Sequence, residues 1–301
     1  MKIYYGIKDN YSDVTYIAKI KLLKNGILKI PCNDVKRAEI LGDPIFGIVK
    51  NIKIGDVIYK HDEEIILNLD EEVTNERKIW WNEIGKHIVD PETKLKLLHN
   101  YIALNHGSIR DEYPEQLMAM KYIKETDTVL EIGGNIGRNT CIIASILNDD
   151  SRLVTLECCK QYAFQLEENK IQNFFNFNIE VSALSKVPLI QKDWNTYISE
   201  IVFPGYTKVN TITFEEIKNK YNLEFNVLVA DCEGALYQIL KDEPNLLKNI
   251  ETIIIENDFT DYSKKQYVDD VFLENGFKNL YNQAGGWGPC YSCFFQVWNK
   301  N

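Results

Sequence analysis

Short apolar runs and stretches with helical spacing alternate along most of the chain. From about residue 113 onward, buried-type strands are predicted at 128–132, 153–156, 177–181, 226–230, 252–255, 277–282 and 292–298. Helices are predicted at 115–124, 138–147, 160–172 and 264–275. This alternation predicts an α/β domain with a doubly wound, mostly parallel seven-stranded sheet covered on both faces.

The amino-terminal part follows a different pattern. Apolar runs at 27–30, 45–49, 57–59 and 65–69 are separated by turn-forming residues, which predicts short strands. We therefore expect a β-rich accessory or oligomerisation module over residues 1–70, and a homo-oligomer formed through it. A helical connector is expected over 71–112, and the main α/β domain over 113–301.

The charge balance narrows the range of partners. Among 301 residues, 44 are acidic and 34 are basic, which gives a net charge of −10. This excess repels phosphate backbones, so a nucleic-acid partner is not expected. No apolar run approaches the roughly 20 residues of a membrane span, and the start of the chain lacks the apolar region of a signal peptide. The expected location is the cytoplasm, or the host cytoplasm if the abundant Ile, Asn, Lys and Tyr reflect an AT-rich viral genome.

The cysteines predict neither disulfides nor a metal centre. Seven are scattered through the sequence, an odd number in a chain with no predicted secretion signal. Cys290 and Cys293 have the spacing of a zinc knuckle, but no second such pair exists. We expect these thiols to be buried or to lie in loops.

A glycine-rich turn follows the first strand of the main domain. Gly133, Gly134 and Gly137 lie between this strand and the next helix, where the backbone can approach a ligand. Asn135 occupies the second glycine position of the dinucleotide fingerprint, which disfavours an NAD-linked oxidoreductase. With Glu131, the turn is similar to the first motif of class I S-adenosylmethionine methyltransferases. That similarity implies a loop around the methionine part of the cofactor, with Glu131 near its sulfonium or amino group.

Polar residues also end the next two strands. Glu157 lies 20 residues after Gly137, where an acid in a doubly wound fold accepts hydrogen bonds from ribose hydroxyls. Ser182 ends the third strand, where the adenine is usually bound. Gly133, Gly134, Asn135, Gly137, Glu131, Glu157 and Ser182, with Asp231, are the predicted cofactor-binding residues. The alternative for Glu157 is an ordinary surface glutamate.

Acidic residues follow the fourth and fifth strands. Asp231 and Glu233 come after one, and Glu256, Asn257 and Asp258 after the other. Carboxylates at one edge of a sheet serve as general bases or hold a divalent cation. Asp231 is the preferred base, with Glu233 beside it, and Mg²⁺ would be held by Asp231, Glu256 and Asn257. Capping of the following helix is the alternative for Glu233 and Asp258.

Three further segments are candidates for contact with an acceptor. His106 lies in a loop upstream of the main domain and is a candidate catalytic or substrate-binding residue. The alternative is a histidine at the surface or in the core with no catalytic role, which is more common for a lone histidine. Residues 193–206 and 285–291 combine aromatic side chains with small polar ones. Such faces suit sugar rings and also ordinary loop packing.

At the level of whole motifs, the chain resembles the FkbM family of methyltransferases. The segments 131–137, 182–185, 209–213, 231–236 and 253–256, with Asn169, occur in the order and spacing of that family. The resemblance implies a Rossmann-like class I fold and methyl transfer from S-adenosylmethionine to sugar hydroxyls. It departs at Glu131, Gly134 and Ala230, where the family usually has Asp, Ala and Lys, so no role of that lysine is carried over. Residues 1–112 lie outside the resemblance.

The expected function is therefore that of an S-adenosylmethionine-dependent O-methyltransferase that acts on a sugar or glycan acceptor. The alternative is a non-catalytic glycan-binding or scaffold protein that retains the cofactor fold. A nucleic-acid methyltransferase is disfavoured by the acidity and by the absence of an Asn-Pro-Pro-Tyr-like motif.

Overall fold

The chain divides into two compact units. The structure, a computed structural model, describes residues 2–24, 27–68 and 88–300. The first unit comprises residues 1–89 with 171–174, and the second comprises 90–170 and 175–301. Residues 90–112 of the predicted connector fall within the second unit. Residues 71–87 of the predicted connector lie outside the described ranges.

Over residues 2–24, 27–68 and 88–89, the first unit contains two antiparallel sheets and two helices. One sheet has the order β2-β1-β5-β6 and the other β3-β4-β7; the elements are β1 Ile3–Ile7, β2 Asn10–Asp13, α1 Thr15–Leu22, β3 Leu23–Lys24, β4 Ile27–Ile30, α2 Asp34–Leu41, β5 Asn51–Ile54, β6 Val57–Tyr59 and β7 Ile65–Asn68. The predicted strand at 45–49 is wrong, because these residues form turns and bends. The two helices were not predicted. Asn33 begins α2, and its Oδ1 accepts from the main-chain nitrogens of Val35 and Lys36.

Two buried cations are fully satisfied inside this first unit. The Arg37 guanidinium donates to the main-chain oxygens of Pro31, Lys60 and Glu63. Lys50 forms ion pairs with two aspartates, Asp34 and Asp43. Since every donor of this kind needs a partner when buried, these contacts fix the loops around a small apolar core.

The second unit is built on one seven-stranded sheet. Its helices are α3 Pro91–Leu98, α4 Tyr113–Tyr122, α5 Arg138–Ile146, α6 Lys160–Gln172, α7 Phe214–Tyr221, α8 Leu236–Asp242 and α9 Tyr262–Glu274. Its strands are β8 Val129–Ile132, β9 Leu153–Leu156, β10 Asn178–Glu180, β11 Ala183–Leu184, β12 Leu189–Lys192, β13 Asn195–Ile198, β14 Thr207–Val209, β15 Thr211–Ile212, β16 Val227–Ala230, β17 Thr252–Glu256, β18 Lys278–Gln283 and β19 Phe295–Asn299.

The order of the large sheet is β10-β9-β8-β16-β17-β19-β18. The first five strands pair in parallel, and β19 pairs antiparallel with both β17 and β18. Every residue of β8, β9 and β16 is buried, as expected for strands covered on both faces. This is the doubly wound sheet of the class I methyltransferase fold, which confirms the predicted fold class. The carboxyl ends of the five parallel strands meet at one edge.

A small antiparallel sheet is inserted after the third parallel strand. It has the order β13-β12-β14 and lies in the chain between β11 and β15, which themselves pair in parallel. The sequence predicts no strand over these residues. Four of its flanking large apolar side chains are exposed, at Ile198, Ile201, Val202 and Phe203.

Candidate active site at the carboxyl edge of the sheet

The glycine-rich turn is in direct contact with the end of β16. The φ of Gly133 is +95°, and a Cβ there would lie 1.6 Å from the main-chain oxygen of Asp231. The main-chain nitrogens of Gly133 and Gly134 donate to the oxygen of Leu156 at 3.0 and 2.9 Å. The turn is therefore held between the ends of β9 and β16, which lie on either side of β8. Only glycine fits at position 133.

The other two glycines permit close packing of the turn on its surroundings. A Cβ at Gly134 would lie 2.2 Å from the Oγ1 of Thr155, and one at Gly137 would lie 2.3 Å from a methyl carbon of Leu166. Gly137 also begins α5 with a left-handed φ of 90°. Each glycine thus has a structural cause, and the main chain of the turn is what remains to face a ligand.

Glu157 lies where the sequence predicts it, at the end of β9. One carboxylate oxygen accepts from the nitrogen of Asn135 at 2.8 Å and the other from the nitrogen of Cys159 at 2.7 Å. Burial raises the pKa of Glu157, and the two backbone donors oppose that shift. Since each carboxylate oxygen can accept two hydrogen bonds, capacity remains for ribose hydroxyls.

Glu131 lies inside the fold, with 2% of its surface exposed. Its carboxylate accepts from the Oγ1 of Thr140 at 2.6 Å and from the Nδ2 of Asn139 at 3.5 Å, both on α5. Burial raises the pKa of Glu131 to about 7. The Glu131 side chain, which was predicted to contact the cofactor, therefore forms its hydrogen bonds with α5.

Ser182 follows β10 at the same edge. It is buried, and its Oγ donates to the Oε1 of Glu180 at 3.2 Å. Glu180 in turn accepts from Lys220 and Tyr221. The position agrees with the prediction, while the hydroxyl has a partner within the protein.

Three carboxylates meet beyond β16 and β17. Single oxygens of Asp231, Glu256 and Asp258 lie within 4.8 Å of one another. A fourth carboxylate, Glu115 in the first turn of α4, lies beside Glu256 but outside this group of three, with 8% of its surface exposed. In the ranges that the structure describes, none of the four forms an ion pair with a basic side chain.

The pKa values of Asp231, Glu256 and Asp258 are all raised. Burial is the largest cause for Asp231, Glu256 and Asp258, and the Glu115 carboxylate raises the pKa of all three further. Burial and the Asp258 charge likewise raise the pKa of Glu233. A site in which charges repel one another favours a proton or a cation among them.

Asn257 does not join this group. Its side chain is completely buried, and its Nδ2 donates to the main-chain oxygens of Cys293 and Phe294 at 2.7 and 3.1 Å. Successive side chains at the end of a strand point to opposite sides, so Glu256 and Asp258 share one side and Asn257 takes the other. The structure thus brings Asp258 beside Asp231 and Glu256, while the Oδ1 of Asn257 is buried without a hydrogen-bond partner among the described residues.

Glu233 lies in the turn that follows Asp231. Its φ is 52°, and the next residue, Gly234, also has a left-handed φ of 75°. A Cβ on Gly234 would lie 3.4 Å from the main-chain oxygen of Asp258. The turn therefore runs along the end of β17 and leaves the Glu233 side chain exposed at the margin of the site.

His106 is held against α6. Asn169 accepts from the main-chain nitrogens of Asn105 and His106 and donates to the oxygen of Ile136 at 2.8 Å. The ring of His106 pairs with the carboxylate of Glu168. Asn169 thus ties the loop around His106 to the glycine-rich turn, and the imidazole has its partner on α6.

The two predicted acceptor segments lie in separate elements. In the first, Trp194 stacks on Tyr162 of α6, with ring centroids 5.0 Å apart and planes inclined by 2°. The second includes a 3₁₀ turn, Gly288–Cys293, and its Trp287 and Tyr291 are exposed. Cys290 within that turn is buried, in agreement with a packing role.

Sequence reasoning missed Glu115 and its neighbour Gln116. The Gln116 amide donates to the main-chain oxygens of Ile109 and Asp111 at 2.8 and 3.0 Å, and its oxygen pairs with His99 at 2.7 Å. These contacts fix the start of α4 and so the position of Glu115. The signal in the sequence is weak: an acid and an amide directly before the apolar stretch Leu117–Met120.

No protein-family model matches the chain, and no curated protein sequence matches it either. Solved structures with a similar fold include the ribosomal protein L11 methylase of Lactobacillus delbrueckii subsp. bulgaricus, at 12% identity over 66% of this chain and 82% of that one, with a TM-score of 0.42. An O-methyltransferase from Bacillus cereus in complex with SAH is 15% identical over 76% and 99% of the two chains, with a TM-score of 0.39.

A tRNA m1G37 methyltransferase from M. jannaschii is 11% identical over 65% of this chain and 51% of that one, with a TM-score of 0.40. We draw no conclusion about function from similarities of this size. In the described part of the chain, no helix has both the length and the apolar character needed to cross a bilayer.

Proposed function

We propose that the protein is an S-adenosylmethionine-dependent O-methyltransferase of the FkbM type that acts on a sugar hydroxyl. The observation that carries the proposal is the contact between Gly133 and the main-chain oxygen of Asp231. Because of this contact, the glycine-rich turn lies next to the residue that contributes Asp231 to the carboxylate group. A methyl donor on the turn and an acceptor beside the carboxylates would therefore be neighbours.

The residues at the edge fit this cofactor. The main chain of residues 133–137 is free of side chains at three positions, and Glu157 retains acceptor capacity for a ribose diol. Ser182 lies at the next strand end, where the base would be bound. S-adenosylmethionine, when bound, supplies a methyl group on a cationic sulfur, which keeps the electron pair of the broken S–C bond.

The carboxylates provide the proton acceptor that an alcohol needs. A sugar hydroxyl is a poor nucleophile at neutral pH, so its proton must leave as the new C–O bond forms. Among Asp231, Glu256 and Asp258, Asp231 is the residue whose main chain contacts Gly133 of the glycine-rich turn. We assign it as the proton acceptor, with Glu233 at the margin of the site. Alignment of the two reactants contributes most of the remaining acceleration.

The first test is calorimetric titration of the protein with S-adenosylhomocysteine. We expect micromolar binding, and about 10- to 100-fold weaker binding for Glu157→Gln, because a hydrogen bond to a charged group contributes about 1.5 to 3 kcal/mol. Glu200→Gln, an exposed acid, is the matched control and should bind normally. Absence of binding by the folded protein would favour the alternative of a non-catalytic glycan-binding or scaffold protein.

The second test concerns Asp231→Asn. The amide keeps the size of the side chain but cannot accept the proton, so methyl transfer should fall by about 100-fold or more while S-adenosylhomocysteine still binds. Asp270→Asn, exposed on α9, is the control. Unchanged turnover in Asp231→Asn would refute the role of this carboxylate.

The acceptor is found by transfer of radiolabelled methyl to free sugars, nucleotide sugars, glycans and tRNA. Transfer to a sugar hydroxyl is expected, because the exposed aromatic side chains of Trp194 and Trp287 lie in loops of the second unit and offer apolar ring surface to a sugar. Label on tRNA instead would contradict the expectation drawn from the net charge of −10.

A further inference from the structure

Two cysteines near the end of the second unit are brought together by the 3₁₀ turn that contains them. The turn spans Gly288–Cys293, and Cys290 and Cys293 lie three residues apart within it. Since a 3₁₀ helix has three residues per turn, side chains at this spacing lie one above the other. The two thiols are accordingly within hydrogen-bonding reach of each other. Both are free thiols in this structure.

The two cysteines differ in how far they can be reached from solvent. Cys290 is completely buried, whereas Cys293 is partly exposed. Burial raises the pKa of Cys290, and the charge of nearby Lys265 opposes that shift. Because the thiolate is the reactive form and an oxidant must reach it, Cys293 is the thiol that reacts first. Cys290 lies behind it, in the position of a resolving thiol.

The pair does not have the surroundings of a metal site. A structural zinc ion takes four protein ligands, and this turn supplies two. Among the described residues, the one group of three or more His, Cys, Asp or Glu side chains that could share an ion is Asp231, Glu256 and Asp258. The chemistry left to two adjoining thiols is the formation of a bond between their sulfurs.

From this geometry we propose that Cys290 and Cys293 are a redox-active pair, which a low-molecular-weight disulfide oxidises to an intramolecular disulfide. The Cys293 thiolate attacks one sulfur of the oxidant, whose other half leaves as a thiolate, and a mixed disulfide forms. The Cys290 thiolate then attacks the Cys293 sulfur and displaces the second half. Two cysteine thiols are thereby oxidised, one disulfide is reduced, and the two protons pass to the departing thiolates.

The pair also contacts both neighbours of Asp258, a member of the carboxylate group. The Sγ of Cys290 donates to the main-chain oxygen of Phe259 at 3.7 Å. The Nδ2 of Asn257 donates to the main-chain oxygen of Cys293 at 2.7 Å. A disulfide draws the two sulfurs to about 2.05 Å and removes the S–H donor. Oxidation should therefore loosen the main chain on either side of Asp258. Neither the disulfide nor this effect depends on the proposed methyl transfer.

The test incubates the full chain with glutathione disulfide, quenches it with acid, unfolds it and labels free thiols with N-ethylmaleimide. Trypsin then releases residues 279–300, whose two cysteines are Cys290 and Cys293, and residues 153–160, whose two are Cys158 and Cys159. We expect peptide 279–300 to carry neither label nor glutathione, and to take two labels after treatment with dithiothreitol. Peptide 153–160 is the matched control and should form no internal disulfide, because consecutive Cα atoms are about 3.8 Å apart, less than a disulfide usually spans.

Single substitutions separate the roles of the two thiols. Cys290→Ser should retain one glutathione on Cys293, because the resolving thiol is absent. Cys293→Ser should retain none on peptide 279–300, because the buried thiol is not reached. Two labels on this peptide of the oxidant-treated wild type would overturn the proposal, and so would a glutathione on each of its cysteines. Equal glutathione uptake by the two variants would overturn the assigned order of attack.

Hydrogen exchange followed by mass spectrometry tests the effect on the end of β17. The main-chain nitrogen of Asn257 donates to the oxygen of Phe294, directly after the turn, at 2.8 Å. Peptides that contain residues 257–259 should therefore exchange faster in the oxidised wild type than in the reduced one. Cys293→Ser, treated in the same way, is the control and should show no change. Equal or slower exchange in the oxidised wild type would overturn the effect on Asp258. Titration of the reduced protein with S-adenosylhomocysteine shows separately whether the proposed function holds.

Discussion

Glu131 and Glu157 end neighbouring strands, yet they differ in what surrounds the carboxylate. Glu157 receives two backbone hydrogen bonds at the edge of the sheet. Glu131 lies deeper in the fold, and its carboxylate accepts hydrogen bonds from side chains of α5. Two acids that look alike in a motif therefore serve different purposes, one at the surface of the site and one beneath it.

The buried position of Glu131 gives stability a pH dependence. Its pKa is about 7 in the folded protein against 4.5 ordinarily, so the folded state binds more protons between these values and stability falls as pH rises through that window. Glu131→Gln keeps the shape and should be more stable than the wild type at pH 8 by about 2 to 3 kcal/mol, and nearly equal to it at pH 4.5. Urea unfolding at both pH values measures this. An equal difference at the two pH values would mean that Glu131 is not the titrating group.

At the level of elements, the parallel strands could be predicted from the sequence. The helices α1 and α2 and the inserted antiparallel sheet could not. The buried strands consist mostly of apolar residues and are followed by turn-forming residues, and β9 and α6 have the predicted bounds. The helices α1 and α2 were missed because each is only eight residues long and lies among short strands, and because the start of α2 depends on a single side chain, Asn33. The inserted sheet from β12 to β14 was missed because most of its residues are polar or exposed.

The same contrast holds for the candidate site. Residues at strand ends could be placed from the sequence, because parallel strands share an edge. The side on which each acid points could not be placed, since the exact last residue of β17 decides whether Asn257 or Asp258 faces the group. Glu115 comes from a helix that packs on the sheet, and no local pattern shows which strand end it meets.

The glycine-rich turn makes a prediction at this scale. Gly133→Ala and Gly276→Ala both place a methyl group on a left-handed residue, at φ +95° and +83°, at a cost of about 1 kcal/mol each. Only at Gly133 would the new carbon meet an atom, 1.6 Å away, whereas nothing lies within 4 Å at Gly276. We expect Gly133→Ala to lose S-adenosylhomocysteine binding and much of its thermal stability. Equal melting temperatures and affinities in both variants would show that the turn yields easily.

At the scale of the whole molecule, the first unit has a small core and an apolar loop on its surface. Phe46 in that loop is 95% exposed, and Ile48 and Val49 beside it are about half exposed. Large exposed apolar side chains in one loop are typical of association surfaces. The predicted homo-oligomer remains a prediction, and this loop is where we expect it to form.

Light scattering after gel filtration tests that expectation. The wild type should have a mass of at least two chains, and Phe46→Ser should shift it toward one chain, because the aromatic surface that is buried on association is lost. Phe164→Ser, which removes a phenylalanine that is 63% exposed on α6, is the control and should not change the mass. A monomeric wild type would contradict the prediction outright.

The contact between Gly133 and the main-chain oxygen of Asp231 also has a thermodynamic meaning. A ligand that shifts the turn would press on the residue whose side chain belongs to the carboxylate group, so we expect the cofactor and the methyl acceptor to bind with coupled affinities. Such coupling is reciprocal: the factor by which S-adenosylhomocysteine changes the dissociation constant of the acceptor must equal the factor by which the acceptor changes that of S-adenosylhomocysteine. Four titrations, of each ligand with and without the other, complete a thermodynamic cycle. Its coupling free energy measures how strongly the glycine-rich turn and the carboxylate group depend on each other.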